Sequence, residues 1–290
     1  MKVVVSVVNF NTRDLTKKCI ESILKRWEND VKVWVVDNGS NDGSVEMIKK
    51  FAEVKLIESP ENLGFGTGHN LVFKKVSGDY FLVLNSDCKI EDKVIDKMVL
   101  FMEKNVDCGI SSCKILGFDG RLQPNAGDLP FGWALFSWLF NLDFLGGKSF
   151  HRNEPQYYES SHEVDWVSGS FMMIRAEVIK KLAGFNERYF MYFEDAEFCF
   201  RAEKAGFKIM INPEVVIKHL SGGSLDYPKL RQWSGEYTGL IKFYEQSYGK
   251  LVAVSLKLFI YFAVLLRMIA NILIGKFNIS KTYGKVITSI

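Results

Sequence analysis

The sequence predicts an α/β fold, doubly wound around a mostly parallel sheet and followed by C-terminal helices, and three observations predict it. Lys2–Val8 and Val31–Val36 are β-branched apolar runs without polar alternation, as strands buried on both faces require. Between them Leu15, Cys19, Ile20, Ile23, Leu24 and Trp27 recur at helical spacing, with Asn11 or Thr12 placed to cap the start. Beyond Tyr227 the chain reads as helix throughout.

Taken in order, the β-α-β unit repeats. A helix near Val45–Phe51, a strand at Val54–Ile57, a helix near Gly68–Lys75, a strand at Tyr80–Leu84 and a helix over Ile90–Met102 follow. Parallel strands joined this way take right-handed crossovers, and ligands bind beyond the carboxyl ends of the strands. Those ends carry Asn9-Phe10-Asn11-Thr12, then Asp37-Asn38-Gly39-Ser40-Asn41-Asp42-Gly43, then Asn85-Ser86-Asp87. From Gly109 to Gly127 irregular strands and turns are expected, then an aromatic stretch over 131–145. Val164–Arg175 reads as a strand interrupted at Ser168-Gly169-Ser170, Glu194–Ala205 as a helix, and Val215–Lys218 as a strand leading to His219. A soft boundary falls near Tyr227.

Composition narrows the function classes. The 37 basic and 34 acidic side chains leave a net charge of +3, which gives no global electrostatic reason to expect nucleic acid as a partner. Five cysteines without CxxC spacing fit reduced, core-packed thiols better than a disulfide framework. The N-terminal apolar run is short for a signal peptide and reads as a buried first strand. With neither GxGxxG nor GxxxxGK[ST], the dinucleotide oxidoreductase and P-loop readings lose their main support.

Several residues at the predicted rim could carry chemistry. Asp37 could accept a hydrogen bond from a uracil or thymine imide, or cap its own turn. Asp87 could hold Mg²⁺ or Mn²⁺, which favour carboxylate oxygen, or cap the helix that follows. Glu194-Asp195 follows the aromatic run Tyr189-Phe190-Met191-Tyr192-Phe193 at a helix start. Such surroundings disfavour ionisation and suit a general base, although acids also cap helices there. His219 could complete a metal shell, with the Gly222-Gly223 backbone near phosphate, or be structural.

The order of these blocks resembles the family 2 glycosyltransferases, particularly the rhamnosyltransferase-like subgroup. The resemblance runs through Val7-Val8-Asn9-Phe10-Asn11, Val36-Asp37-Asn38-Gly39-Ser40, Glu61-Asn62-Leu63-Gly64-Phe65-Gly66-Thr67-Gly68-His69-Asn70 and Leu84-Asn85-Ser86-Asp87. It continues in Asp165-Trp166-Val167-Ser168-Gly169-Ser170, Gly184-Phe185-Asn186-Glu187, Glu194-Asp195 with Arg201, and Lys218-His219. It implies a GT-A catalytic domain over 1–227, with a nucleotide-sugar half at 1–105 and an acceptor half at 106–227. The helical tail at 228–290 would serve membrane association or oligomerisation.

By the same resemblance Asn9, Asn11, Asp37, Asn62, Gly64, Asn70 and Asn85 bind the donor, and Asp87 with His219 holds the metal. Asp195 is the base with Glu194 beside it, and Trp166, Gly169 and Arg201 face the acceptor. The Asp-x-Asp of many relatives is Asn85-Ser86-Asp87 here, which lowers the site's negative charge. The implied reaction is an inverting, metal-dependent transfer, of rhamnose from dTDP-rhamnose for this subgroup, to a lipid-linked or polysaccharide acceptor at the cytoplasmic face of the cell membrane. A nucleotidyltransferase of similar fold would normally carry glycines in the loop after strand one, and Asn9-Phe10-Asn11-Thr12-Arg13 has none. A noncatalytic sugar- or lipid-binding protein would not need both Asp87 and Asp195.

Leu251–Ile274 is apolar but interrupted by Lys257 and Arg267, which suggests an interfacial helix rather than a span. Lys242, Lys250, Lys257, Arg267 and Lys276 could meet anionic headgroups, and a packing face on the domain or on a second copy is the alternative.

Overall fold

A computed structural model describes residues 1–24, 27–91, 93–220 and 228–290, so Gly222-Gly223 and the expected boundary at Tyr227 lie outside the described residues. The first half follows the predicted order: β1 (Lys2–Asn9), α1 (Arg13–Ile23), β2 (Asp30–Asp37), α2 (Ser44–Ile48), β3 (Val54–Glu58), α3 (Phe65–Lys75) and β4 (Tyr80–Asn85). β1 lies parallel between β2 and β4, pairing Asn9 with Asp37 and Val8 with Asn85. Val3, Val5 and Val7 enter one core and Val4 the other, so both faces are covered and the run is uniformly apolar. Trp27 lies beyond α1, where its indole N–H donates to the Ile23 carbonyl at 2.8 Å. The Thr12 hydroxyl makes no cap; it donates to Asn9 Oδ1 at 2.8 Å.

The second half contains β5 (Cys88–Lys89), α4 (Val94–Lys104), β6 (Cys108–Leu116), β7 (Ala126–Gly127), α5 (Gly132–Phe140), β8 (His162–Glu163), β9 (Trp166–Val167), β10 (Phe171–Arg175), α6 (Ala176–Leu182), α7 (Glu194–Lys204) and β11 (Lys208–His219). Two expectations are corrected. β6 is one continuous nine-residue strand where irregular strands and turns were expected. Gly109, Ser111 and Ser112 disguised it, yet Ser112 donates to the Phe171 carbonyl at 2.7 Å, and a Cβ on Gly109 would meet Phe207 and Val178 at 2.7 Å. β11 is 12 residues long, its pairing with β6 shifting between Asn212 and Val216 around Pro213, which lacks a backbone donor.

The main sheet runs β3-β2-β1-β4-β10-β6-β11-β5, with β8 on β11. β10 is antiparallel to β4 and β6, while β11 is parallel to β6. The carboxyl ends of β1, β2, β4 and β11 therefore share one rim with the start of β10. That geometry gathers Asn9, Asp37, Asn85, His219 and Ser168–Ser170, although they are far apart in sequence.

Three helices follow: α8 (Pro228–Tyr248), α9 (Lys250–Leu273) and α10 (Phe277–Ser289). Gly249 and Gly275 make the joints at φ 88° and 74°. α9 packs against α5 through Phe140 and Phe259, whose rings lie 5.5 Å apart. Arg267 does not face outward. Its guanidinium donates to Tyr283 Oη at 2.9 Å, Tyr237 Oη at 3.2 Å and the Trp138 carbonyl.

Candidate active site

A cavity of about 480 Å³ opens at the shared rim, within the usual range for small-molecule sites. Its wall combines Asn38 and Gly64 after β2 and β3, Asn85-Ser86-Asp87 after β4, Ser168–Ser170 before β10, and Phe190–Asp195 leading into α7. His219 closes it from β11, and Arg231, Gln232 and Glu236 reach it from α8.

On the β4–β11 side, Asp87 Oδ1 stands 3.0 Å from His219 Nε2, and Asn85 Nδ2 stands 3.2 Å from the same nitrogen. Gln123 sets the imidazole's orientation. Its amide Nε2 donates to the His219 carbonyl at 3.0 Å, which turns Oε1 toward His219 Nδ1 at 2.9 Å. Nδ1 then carries the proton and Nε2 presents its lone pair on the Asp87 side. A carboxylate oxygen and an imidazole lone pair converging in this way form a donor pair for a divalent cation. The Cys88 sulfur lies within the same 4.8 Å cluster, but burial holds its thiol pKa well above ordinary and Sγ–H donates to the Ser170 carbonyl at 3.3 Å. A hard cation would take Asp87 and His219 and leave the thiol.

On the α7 side, Asp195 Oδ2 accepts from the Gly169 amide at 3.1 Å and Oδ1 from its neighbour Ala196 at 2.8 Å. Burial raises its pKa above the ordinary carboxylate value against those two bonds and the nearby His151. Glu194 is 3% exposed, its Oε2 has no hydrogen-bond partner, and burial beside Asp195 raises its pKa well above ordinary. Burial thus disfavours the charged form of Glu194, while Asp195 faces the cavity. The preceding turn is strained: Tyr192 and Phe193 both adopt positive φ, 69° and 73°, which side-chain-bearing residues rarely tolerate. Close packing holds it. Phe65 N–H donates to the Phe190 carbonyl at 2.8 Å, and Gly64 leaves room for that carbonyl, which a Cβ would meet at 2.2 Å.

The rim separates the expected residues into walls and supports. Asn62, Gly64, Asn85, Asp87, Trp166, Gly169, Glu194, Asp195 and His219 line the cavity. Asn9, Asn11, Asp37, Asn70 and Arg201 do not line it. Asp37 accepts from Asn9 Nδ2 at 2.6 Å and from the Ser40 amide at 2.9 Å, and Asn11 fixes the facing loop through Ser40 and Asn41. Asn70 bonds both backbone groups of Phe185, and Arg201 pairs with Glu197 at 2.8 Å while bonding the Leu182 and Gly184 carbonyls. Sequence reasoning missed Gln123, His151, Arg231 and Glu236. They sit in segments without motif spacing, and only the tertiary fold brings them to the rim.

A carboxylate–imidazole pair and two adjacent acids thus share one cavity at the rim where doubly wound sheets bind ligands. Residues 4–183 match the glycosyl transferase family 2, and the chain belongs to that family. It is 26% identical over 234 residues to an N-acetylglucosaminyl-diphospho-decaprenol L-rhamnosyltransferase of Mycobacterium tuberculosis, covering 74% of this chain and 75% of that one. It is 24% identical over 225 residues to the rhamnosyltransferase WbbL of Escherichia coli, covering 73% and 80%. Its fold is similar to that of the mannosyltransferase PcManGT from Pyrobaculum calidifontis, solved with GDP-Man and Mn²⁺. That match has a TM-score of 0.59 at 14% identity and covers 99% of this chain and 85% of the other.

Proposed function

We propose that this glycosyltransferase moves a sugar from a dTDP- or UDP-linked donor, dTDP-rhamnose in the first instance, to a hydroxyl of a lipid-linked or polysaccharide acceptor in cell-surface glycan synthesis, inverting the anomeric centre. The observation that carries the reading is a single cavity lined by both the Asp87–His219 pair and the Asp195 carboxylate. The rhamnosyltransferase relatives support the donor sugar, and the decaprenol-linked acceptor named for one of them supports a lipid-linked acceptor.

Asp195 takes the proton of the acceptor hydroxyl as it attacks, with the Gly169 and Ala196 amides fixing the carboxylate. Burial beside it disfavours a second negative charge on Glu194. Trp166 and Gly169 border the acceptor, while Asn62, Gly64, Asn85 and Asn38 shape the donor side. Asp37, buried behind the cavity wall, braces the donor-side loops through Asn9 and Ser40. Asp87 and His219 would hold Mg²⁺ or Mn²⁺, which when bound offsets the charge building on the leaving nucleoside diphosphate. Asn85 supplies a neutral amide beside them, so a bound ion would meet less protein negative charge than a second carboxylate would give.

The enzyme works at the cytoplasmic face of the cell membrane in this reading. Among the described residues α9 is a helix long and apolar enough to cross a membrane, with mean hydropathy 2.1, but it packs along one side on α5, α8 and α10. With Arg267 turned inward, Leu258, Phe262, Leu265 and Ile269 form an exposed apolar face beside Trp133 and Phe136 of α5. Lys250, Lys257 and Lys276 would meet anionic headgroups in this reading. A panel of nucleotide sugars, assayed for UDP or dTDP release with Mn²⁺ and with excess chelator, tests the catalytic reading. Release from none of them, or full release in chelator, would overturn it.

A further inference from the structure

His151 lies in the turn region after α5 and lines the same cavity as Asp195. Three aromatic rings box it edge-on: Phe150 at 4.6 Å, Trp166 at 5.4 Å and Trp138 at 6.1 Å between centroids. The box fixes the ring so that Nε2 stands 3.3 Å from Glu236 Oε1. Glu236 is 6% exposed, and Gln232 one helical turn earlier donates to the same oxygen at 2.8 Å. A carboxylate this buried is costly unless paired with a cation, and here the imidazole is that partner. Glu236 lies on α8, outside the stretch that matches the family.

We propose that His151, seated against Glu236 of α8, is a positioning residue for the transfer reaction, the positive counter-charge to the Asp195 carboxylate in a cavity wall that already carries Glu194. The proposal rests on Asp195 being the base. The charges facing His151 are Glu236 from α8, Asp195 from α7 and Asp143 from the turn after α5. Those facing Asp195 are His151 and Glu236, with the buried carboxyl of Glu194 next to it in the chain. Arg152, next in the chain, is committed elsewhere, to Asp128 and Glu154 at 3.2 Å each. Burial is the largest single influence and opposes the imidazolium, but Glu236, Asp195 and Asp143 together outweigh it and the His151 pKa is raised above 6.5. Below that raised value His151 is charged and favours the ionised form of Asp195. Without it the carboxylate would hold its proton to higher pH.

The test is the pH profile of transfer by the full-length His151→Gln protein from about pH 5.5 to 9.5. The acid limb of kcat/KM should move up by about one unit, giving roughly tenfold less transfer near pH 6, recovery toward wild type on the alkaline plateau, and an unchanged donor KM. A loss uniform across pH, or an unmoved limb, would overturn the proposal. If His151→Gln does not fold, histidine NMR titration of wild type and Glu236→Gln decides. The His151 midpoint should lie above 6.5 in wild type and drop in the variant; a wild-type midpoint below 6.5 overturns the pairing. Retained transfer in Asp195→Asn would remove the base reading and this proposal with it, whereas a dead Asp195→Asn with an unmoved limb in His151→Gln removes this proposal alone.

Discussion

Replacing Gly239 of α8 by alanine tests whether the strained turn before Asp195 is seated by that helix. Gly→Ala inside an exposed helix ordinarily stabilises by about 0.5–1 kcal/mol. Here the added Cβ would meet Phe193 Cβ at 2.3 Å and the base of its ring at 3.0 Å, where ordinary contact is 3.4–4 Å. The turn or the helix must therefore yield by about 1 Å, and overpacking of this kind costs roughly 1–3 kcal/mol. The sign should reverse: Gly239→Ala should melt below wild type. Because Phe193 immediately precedes Glu194-Asp195, a shift near 1 Å at the base should lower kcat on the order of 10²-fold. Gly284→Ala in α10 is the control, since its Cβ would find only the Met268 methyl at 3.5 Å, and it should be neutral or mildly stabilising. Melting curves and transfer kinetics at saturating donor would compare the two. A Gly239→Ala protein as stable and active as wild type would refute the argument that α8 seats the turn.

Asp195→Asn should keep donor affinity while losing transfer by about 10²–10⁴-fold, with Glu194→Gln retaining activity; a dead Glu194 variant instead would move the base by one residue. Glu194 has a raised folded pKa, so its stabilising contribution is present below the unfolded value of 4.5 and lost as pH rises through the folded one. Glu194→Gln should accordingly melt higher than wild type at pH 8 but not at pH 4, and equal gains at both would contradict the buried neutral acid. Gln123→Ala frees the His219 ring and should raise the Mn²⁺ concentration for half-maximal activity about 10–100-fold, measured by metal titration. In flotation with anionic vesicles the full chain should rise with the lipid and a truncation after Tyr248 should not. A full chain that stays in the soluble fraction at every salt concentration would make the α9 face a contact between protein chains.

The parallel half was legible because its strands are buried on both faces and its helices carry their apolar stripes at helical spacing. The rim followed from topology, since β1, β2 and β4 all end there. β6 escaped because Ser112 bonds partners that only the folded sheet supplies: it donates to the Phe171 carbonyl and accepts from Asn125 Nδ2 at 2.9 Å. Arg267 was misread for a related reason. In sequence it interrupts an apolar helix, but Tyr237 and Tyr283, on helices before and after α9, turn it inward. At the site, Asp87 and Asp195 stood out by their place after apolar runs. Gln123, His151 and Glu236 had no such signature, because only the tertiary fold brings them to the rim.

The most direct test of the central claim separates the two sides of the cavity. Donor binding by calorimetry, with and without Mn²⁺, would be measured on wild type, Asp87→Ala and Asp195→Asn alongside transfer. The account predicts that Asp87→Ala loses the metal-dependent part of binding and transfer together, while Asp195→Asn binds donor with Mn²⁺ as wild type does and fails only to transfer. Metal-dependent donor binding that survives in Asp87→Ala, or transfer that survives in Asp195→Asn, would contradict it.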